Sequence, residues 1–220
     1  MNQSSGHSTP TGTRSPINGF TLGVAVVLAI GAMLIFTLSS GSGDDEGVTG
    51  FTETAPVVVT GNALPPFDNS NPDPAVGMPL PLLDGVDFNG SPSRIEASGT
   101  PQALLFVAHW CPHCQNEVPR VRALRASATW TDDVELTTIA TSTYSDRPNY
   151  PPSDWLAREG LTVLSDTVMV DSSSNDALRA FGGSGFPFWV FVDGNGNVVQ
   201  RASGELGDDA IMAAVNALVP

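Results

Sequence analysis

Beyond residue 75 the chain predicts an α/β sandwich with a mixed central sheet, and one N-terminal transmembrane helix precedes it. Three observations carry this expectation. Apolar runs of strand length alternate with amphipathic helical patterns. A strong hairpin signal lies near the C-terminus, and nineteen consecutive residues near the N-terminus carry no charge.

The uncharged run, Phe20–Leu38, is long enough to cross a bilayer core as a helix. Arg14 precedes it, and Asp44, Asp45 and Glu46 follow. Positive residues stay inside, so residues 1–19 are expected to form a cytoplasmic tail and the rest to be exported. A cleaved signal peptide fits less well, because its apolar stretch is usually about 7–15 residues and Leu38-Ser39-Ser40 makes a poor cleavage site. A soluble amphipathic helix would have no need of nineteen uncharged residues. The expected location is therefore the cell membrane, single-pass, with an uncleaved signal-anchor. Residues 39–74 are rich in Gly, Ser, Thr, Pro, Asn and Asp and read as a flexible tether. Within them Val57-Val58-Val59 has the character of a short strand that adds to the domain's sheet.

In the domain, residues 75–220, Leu104–Ala108 reads as a strand buried on both faces. Val118, Val121 and Leu124 then repeat at helical spacing, and Val134–Ala140 is the next strand. A helix starts at Ser153-Asp154 and ends at Gly160. Leu161–Leu164 reads as another short strand. Ser174-Asn175-Asp176 caps a helix that runs to Phe181 and stops at Gly182-Gly183. Phe188–Val192 and Val198–Ala202 flank Asp193-Gly194-Asn195-Gly196, a hairpin signal. Gly207-Asp208 opens a final helix with Ile211, Ala214, Val215 and Leu218 on one face.

The formal net charge is -14, and all nine basic residues are arginine. So acidic a surface repels phosphate backbones, which argues against a nucleic-acid partner. Two cysteines cannot build a disulfide scaffold, so the 41% hydrophobic content must supply the core.

Those two cysteines form a Cys111-Pro112-His113-Cys114 pair between the Leu104–Ala108 strand and the following helix. At this spacing they can close a disulfide ring and reopen it. Cys111 lies at the helix start, where free N–H groups and the helix dipole favour a thiolate. Cys114 is one turn further in, placed to attack a mixed disulfide on Cys111. Pro112 suits the first turn because it needs no N–H there. His113 can bring positive charge or a donor beside the Cys111 sulfur and so favour the thiolate. Glu117 shares a helix face with Cys114 and can accept its proton. No cofactor and no metal are expected, since the redox chemistry resides in the two sulfurs. Zinc is the rival for His109, Cys111, His113 and Cys114, but structural sites draw ligand pairs from separate segments.

Gly185-Phe186-Pro187-Phe188 is the second constellation. A proline directly before an apolar strand belongs in a turn. Either it is an ordinary trans strand entry, or a cis Phe186–Pro187 bond frees the Phe186 backbone to pair with a substrate peptide.

Together these residues resemble the thioredoxin superfamily, in particular the membrane-tethered TlpA/ResA-like branch of the bacterial cell envelope. The matching elements are Val76-Gly77-Met78-Pro79, Phe106 through Trp110, the CxxC and Glu117-x-Pro119. Gly185-Phe186-Pro187 and Asp193-Gly194-Asn195-Gly196 complete the match. The resemblance implies a thioredoxin-like fold, a cis Pro187 facing Cys111, and thiol–disulfide exchange with exported protein thiols or disulfides. It makes Cys111–Cys114 the redox disulfide and Glu117 an active-site acid. Trp110, Pro112, Phe186 and Pro187 would then border the bound substrate, and a membrane redox partner would reset the pair. Two departures bear on direction. Thioredoxin carries a buried acid where this chain has Leu105. Pro112-His113 looks like periplasmic oxidases, whereas Glu117 looks like cytochrome-maturation reductases. The direction of electron flow therefore stays open at this point.

A non-catalytic binding module for extended peptides or cytochrome precursors is the alternative function, and the intact pair argues against it. A peroxiredoxin-like activity would need a Thr-x-x-Cys motif with an activating arginine, which Trp110 and Pro112 around Cys111 do not supply.

Overall fold

The computed structural model of the chain describes residues 52–127 and 129–219. The tail 1–19, the expected Phe20–Leu38 helix and the first part of the tether lie outside the described residues. Among those described, no helix is long and apolar enough to cross a membrane.

An eight-stranded mixed sheet forms the centre. In chain order the elements are β1 (Val58–Thr60), β2 (Leu82–Val86), β3 (Pro92–Ile95), β4 (Gln102–Val107), α1 (Pro112–Arg125) and β5 (Glu135–Ala140). They continue with α2 (Pro152–Arg158), α3 (Leu161–Leu164), β6 (Thr167–Val170), α4 (Asp176–Ala180), β7 (Phe188–Val192), β8 (Val198–Ser203) and α5 (Asp208–Asn216). The strand order is β1-β2-β6-β5-β4-β7-β8, with β3 paired to β2. Strands β4, β5 and β6 run parallel to one another, and β7 joins β4 antiparallel. This is the α/β sandwich with a mixed central sheet that the alternating pattern predicts, in the thioredoxin-like form that the resemblance implies.

Strand β4 is the axis, and all six of its residues are buried. Successive side chains point to opposite faces of a strand. Thus Ala103, Leu105 and Val107 join Val118 and Val121 of α1 and Ile211 and Val215 of α5 in one core cluster. Leu104 and Phe106 enter the other cluster with Leu178, Phe181 and Phe188. A strand covered on both faces needs apolar residues at every position, hence the continuous run.

Three sequence expectations are corrected here. Leu161–Leu164 is a single helical turn rather than a strand, closed by the Ser165 N–H donating to the Leu161 carbonyl at 3.0 Å. It buries Leu161 but leaves Val163 85% exposed, and the strand partner of β5 is β6 instead. A four-residue segment with three apolar residues carries too little period to separate the two conformations. The β2–β3 hairpin was not foreseen at all. Its turn is organised by the Asp87 carboxylate, which accepts from the Asn89 and Ser91 N–H groups at 2.8 and 2.9 Å.

The domain also begins well before residue 75. Strand β1 pairs with β2, as the valine patch suggested, and Val57, Leu64 and Ala75 are buried in the second core cluster. Arg201 of β8 clasps this segment: its guanidinium meets both Asp73 carboxylate oxygens at 2.8 and 2.6 Å. It also donates to the Pro65 and Phe181 carbonyls. Gly182, at φ +74°, is required beneath the clasp, because a Cβ there would overlap the Pro65 carbonyl oxygen. Composition cannot reveal such a tie, since its two charges lie 128 residues apart. The cap of α4 differs as well. Asp171, not the Ser174–Asp176 triplet, accepts from the Ala177 and Leu178 N–H groups at 2.8 and 3.1 Å. Asn175 turns to the Ser142 N–H instead.

Candidate active site

Strand β4 ends at Val107, and the chain turns through Ala108, His109 and Trp110 into the N-cap of α1, which is Cys111. Its backbone is extended, at φ -77° and ψ 119°, and Pro112 occupies the first helical turn. The N–H groups of that turn have no partner within the helix, which suits an anionic sulfur. Cys111 retains 6% of its surface exposed, whereas Cys114 is fully enclosed. The two sulfurs are not joined.

The Phe186–Pro187 peptide bond is cis, and the Phe186 carbonyl oxygen lies 3.8 Å from the Cys111 sulfur. Trp110 stands beside them, its indole N–H bonded to the Ser142 carbonyl at 2.8 Å. Its ring meets Phe186 edge-on at 6.0 Å and Tyr144 at 6.1 Å, and the Arg147 guanidinium lies 5.9 Å from its centre. Trp110, Pro112, Phe186 and Pro187, all expected around the substrate, are thus gathered near the more accessible sulfur.

Burial pushes the Cys114 thiol far up, more than a backbone hydrogen bond at Ala108 lowers it. A thiol that ionises so reluctantly needs an adjacent proton acceptor to react. Glu117 lies one helical turn on, with no exposed surface. One of its carboxylate oxygens accepts from the Trp189 indole N–H and the Leu206 N–H, both at 3.0 Å. The other, Oε2, is buried without a partner. Burial raises the Glu117 carboxyl above its ordinary range, and the two hydrogen bonds only partly offset this. A buried carboxyl with one unsatisfied oxygen is suited to taking up and returning a proton. Leu105 remains part of the apolar core, so the buried acid of this site comes from α1 instead of the strand.

His113 departs from expectation in its partner. Its Nδ1 lies 2.7 Å from Glu205, a residue in the β8–α5 loop that the sequence did not single out. Trp189 and the Leu206 amide were missed as well. No motif marks any of the three, because each reaches the site across long sequence separations.

A family model described as Redoxin matches residues 60–217. The chain belongs to the Redoxin family. Among solved structures it is similar to MTB dsbF in its mixed oxidized and reduced forms, at 25% identity and TM-score 0.51, covering 62% of this chain and 94% of that one. A thioredoxin-family thiol:disulfide interchange protein from Chlorobium tepidum TLS gives 25% identity and 0.51, covering 64% and 94%. A secreted Mycobacterium tuberculosis disulfide oxidoreductase, at 20% identity and 0.50 over 61% and 95%, shares the fold. No curated protein matches. This Redoxin-family protein is a thiol–disulfide oxidoreductase.

His109 of the redoxin is buried rather than available to a metal. Its Nδ1–H donates to the Pro148 carbonyl at 2.7 Å, and Nε2 accepts from the Tyr144 N–H at 3.2 Å. With His113 held by Glu205, the four residues weighed for zinc do not converge. His109 instead clamps the loop between β5 and α2, which carries Tyr144 and Arg147 against Trp110.

That clamp has a pH consequence. Burial lowers the His109 value below 6.5, while the Pro148 carbonyl and Glu53 act in the opposite sense. The unfolded chain therefore takes up this proton first as pH falls, so His109 costs stability below about pH 6.5 and nothing more above about 7.5. Each unit of depression is worth about 1.4 kcal/mol. Glu117 and Asp171, both raised by burial, slope the other way. The contrast with His109→Asn isolates the histidine: the wild type's stability advantage, read by urea denaturation, should shrink from pH 7.5 to pH 5. An advantage constant with pH would contradict the neutral clamp.

Proposed function

We propose that this redoxin exchanges disulfides with exported proteins while anchored to the cell membrane by Phe20–Leu38. The observation that carries the exchange chemistry is the placement of Cys111, the more exposed of the two cysteines, at the helix N-cap beside the Phe186 carbonyl, with Cys114 fully buried. In the reducing direction the Cys111 thiolate attacks a substrate disulfide, forming a mixed disulfide and releasing one substrate thiolate. Cys114 then passes its proton to Glu117 and attacks the Cys111 sulfur. The second substrate thiolate leaves, two electrons have moved to the substrate, and the pair is left as a disulfide. A membrane redox partner restores the dithiol. With an oxidising partner the same steps run backwards, so the potential of the pair selects the direction. The aromatic surface of Trp110, Tyr144 and Phe186 would meet an extended segment of the substrate.

The anchoring rests on the uncharged run and on the Arg14 versus Asp44-Asp45-Glu46 asymmetry. Protease added to intact spheroplasts should remove the domain and leave a short membrane-bound stub. A free soluble domain beginning near Ser40 would refute the anchor. The purified domain should equilibrate reversibly in a glutathione series as a two-electron couple and turn over a protein disulfide. Peptide binding without any turnover would instead identify a binding module.

A further inference from the structure

Of the four non-glycine residues with positive φ among the described residues, two meet in one hydrogen bond beside the site. Ser142, at φ +49°, lies near the start of the β5–α2 loop, and Asn175, at φ +59°, is the N-cap of α4. The Asn175 side-chain oxygen accepts from the Ser142 N–H at 3.0 Å. The Ser142 carbonyl in turn accepts from the Trp110 indole N–H at 2.8 Å.

A non-glycine residue in this backbone region persists only where its neighbours hold it, and such residues gather at functional sites. The neighbours of Ser142 are fixed independently. Thr141 donates its N–H to the Val107 carbonyl at 2.9 Å and its hydroxyl to the Asp171 carboxylate at 2.7 Å. On the other side, the Tyr144 N–H donates to His109 at 3.2 Å. Asn175 is itself seated by its N–H on the Ser172 carbonyl at 2.9 Å. Ser142 thus links α4 to the Trp110 ring through its two backbone polar groups.

We propose that Asn175 is a positioning residue for substrate binding, holding the Trp110 ring in a fixed orientation through the Ser142 backbone; this rests on the function proposed above. Trp110 borders the reacting sulfur by way of Phe186. Its ring meets Phe186 edge-on at 6.0 Å, and the Phe186 carbonyl lies 3.8 Å from the Cys111 sulfur. The indole N–H is committed to Ser142, so the ring offers a substrate segment its apolar surface. A ring already held in one rotamer loses no further freedom when a segment packs on it, which favours binding. Without the Asn175 oxygen, Ser142 would relax from its positive φ and its carbonyl would leave the indole N–H. Trp110 would then sample other rotamers, and each substrate would have to order it anew.

The test follows single-turnover exchange between the full chain and a two-cysteine peptide with phenylalanine beside one cysteine. It runs from the reduced protein with the peptide disulfide and from the oxidised protein with the peptide dithiol. Asn175→Gly keeps a backbone that glycine adopts freely and removes only the acceptor. The half-saturating peptide concentration should rise on the order of fivefold. The maximal rate should stay within about twofold of wild type, the mark of lost binding rather than lost chemistry. In the Trp110→Phe background, which lacks the indole N–H, the same substitution should add nothing. Asn175→Asp keeps an acceptor oxygen and tolerates the same φ, so it should recover part of the loss. In protein labelled with fluorotryptophan, only the Trp110 resonance among the four tryptophans should shift and broaden in Asn175→Gly. Circular dichroism and melting temperature check that the variants are folded. An unchanged half-saturating concentration, an equal rise in both backgrounds, or a fall in maximal rate alone would overturn the proposal. A wild type that exchanges with the peptide in neither direction would instead refute the function on which it rests.

Discussion

Cys111→Ser should abolish exchange, and Cys114→Ser should leave the first step intact while trapping mixed disulfides with substrates. The asymmetry follows from burial and placement. Cys111 caps the helix, keeps 6% exposure and faces the Phe186 carbonyl, whereas Cys114 has no exposed surface and its thiol is driven up by burial. An incoming disulfide therefore meets the first sulfur alone. With Cys111 present and Cys114 gone, the mixed disulfide has no internal nucleophile to resolve it and should persist on a non-reducing gel. Alkylation of the reduced protein should label Cys111 first, and with the larger rate at neutral pH. Faster labelling of Cys114, or turnover surviving Cys111→Ser, would reverse the assignment.

Asp73→Ala should destabilise the domain by about 3–5 kcal/mol, a large share of the roughly 5–15 kcal/mol that a domain commonly has. The Arg201 side chain has no exposed surface, and Asp73 is its only ionic partner among the described residues. Truncating the aspartate leaves a buried guanidinium with backbone carbonyls alone. It also leaves the Pro65 carbonyl as the remaining hold of Arg201 on the Pro65–Asp73 stretch. Replacing both residues, as Asp73→Leu with Arg201→Met, should cost less than the single change, because no orphaned charge remains. Urea denaturation of the three variants checks this. The Arg201 guanidinium holds the Asp73 carboxyl below its ordinary 3.8. The clasp therefore contributes fully above that pH and is lost only as pH falls through the lowered value. A single variant within about 0.5 kcal/mol of wild type would show the clasp to be dispensable.

The contrast between these two experiments tracks what could be read directly from the chain. Cys111, Pro112 and Cys114 sit in one short segment, and their placement follows from a buried strand ending and a helix beginning within that segment. Strand β4, helix α1, the β7–β8 hairpin and the apolar face of α5 were legible for the same reason: period and turn chemistry are local properties. Leu161–Leu164 was misread because four residues, three of them apolar, span barely one helical turn and two strand alternations, too few to tell the two periods apart. The β2–β3 hairpin was missed although Asn89-Gly90 lies in its turn, because the short flanking segments, with Asp84, Gly85 and a leading Pro92, do not read as strands.

The electrostatic setting of the pair arises differently. Glu117 shares a helix face with Cys114 by spacing alone, but burial raises its proton affinity, and Trp189 and the Leu206 amide, 72 and 89 residues away, partly offset this. His113 is local to the pair, yet its partner Glu205 lies 92 residues on. Asp73 reads as one more acid in a polar stretch until β8 delivers Arg201 to it. The sequence by itself therefore determined the fold class and marked the candidate redox pair, since these depend on patterns within a few turns of chain. Only the tertiary structure decided which carboxylates are buried, what holds His113 and where the domain begins. Burial and ion pairing depend on which distant segments the packed core brings within hydrogen-bond range.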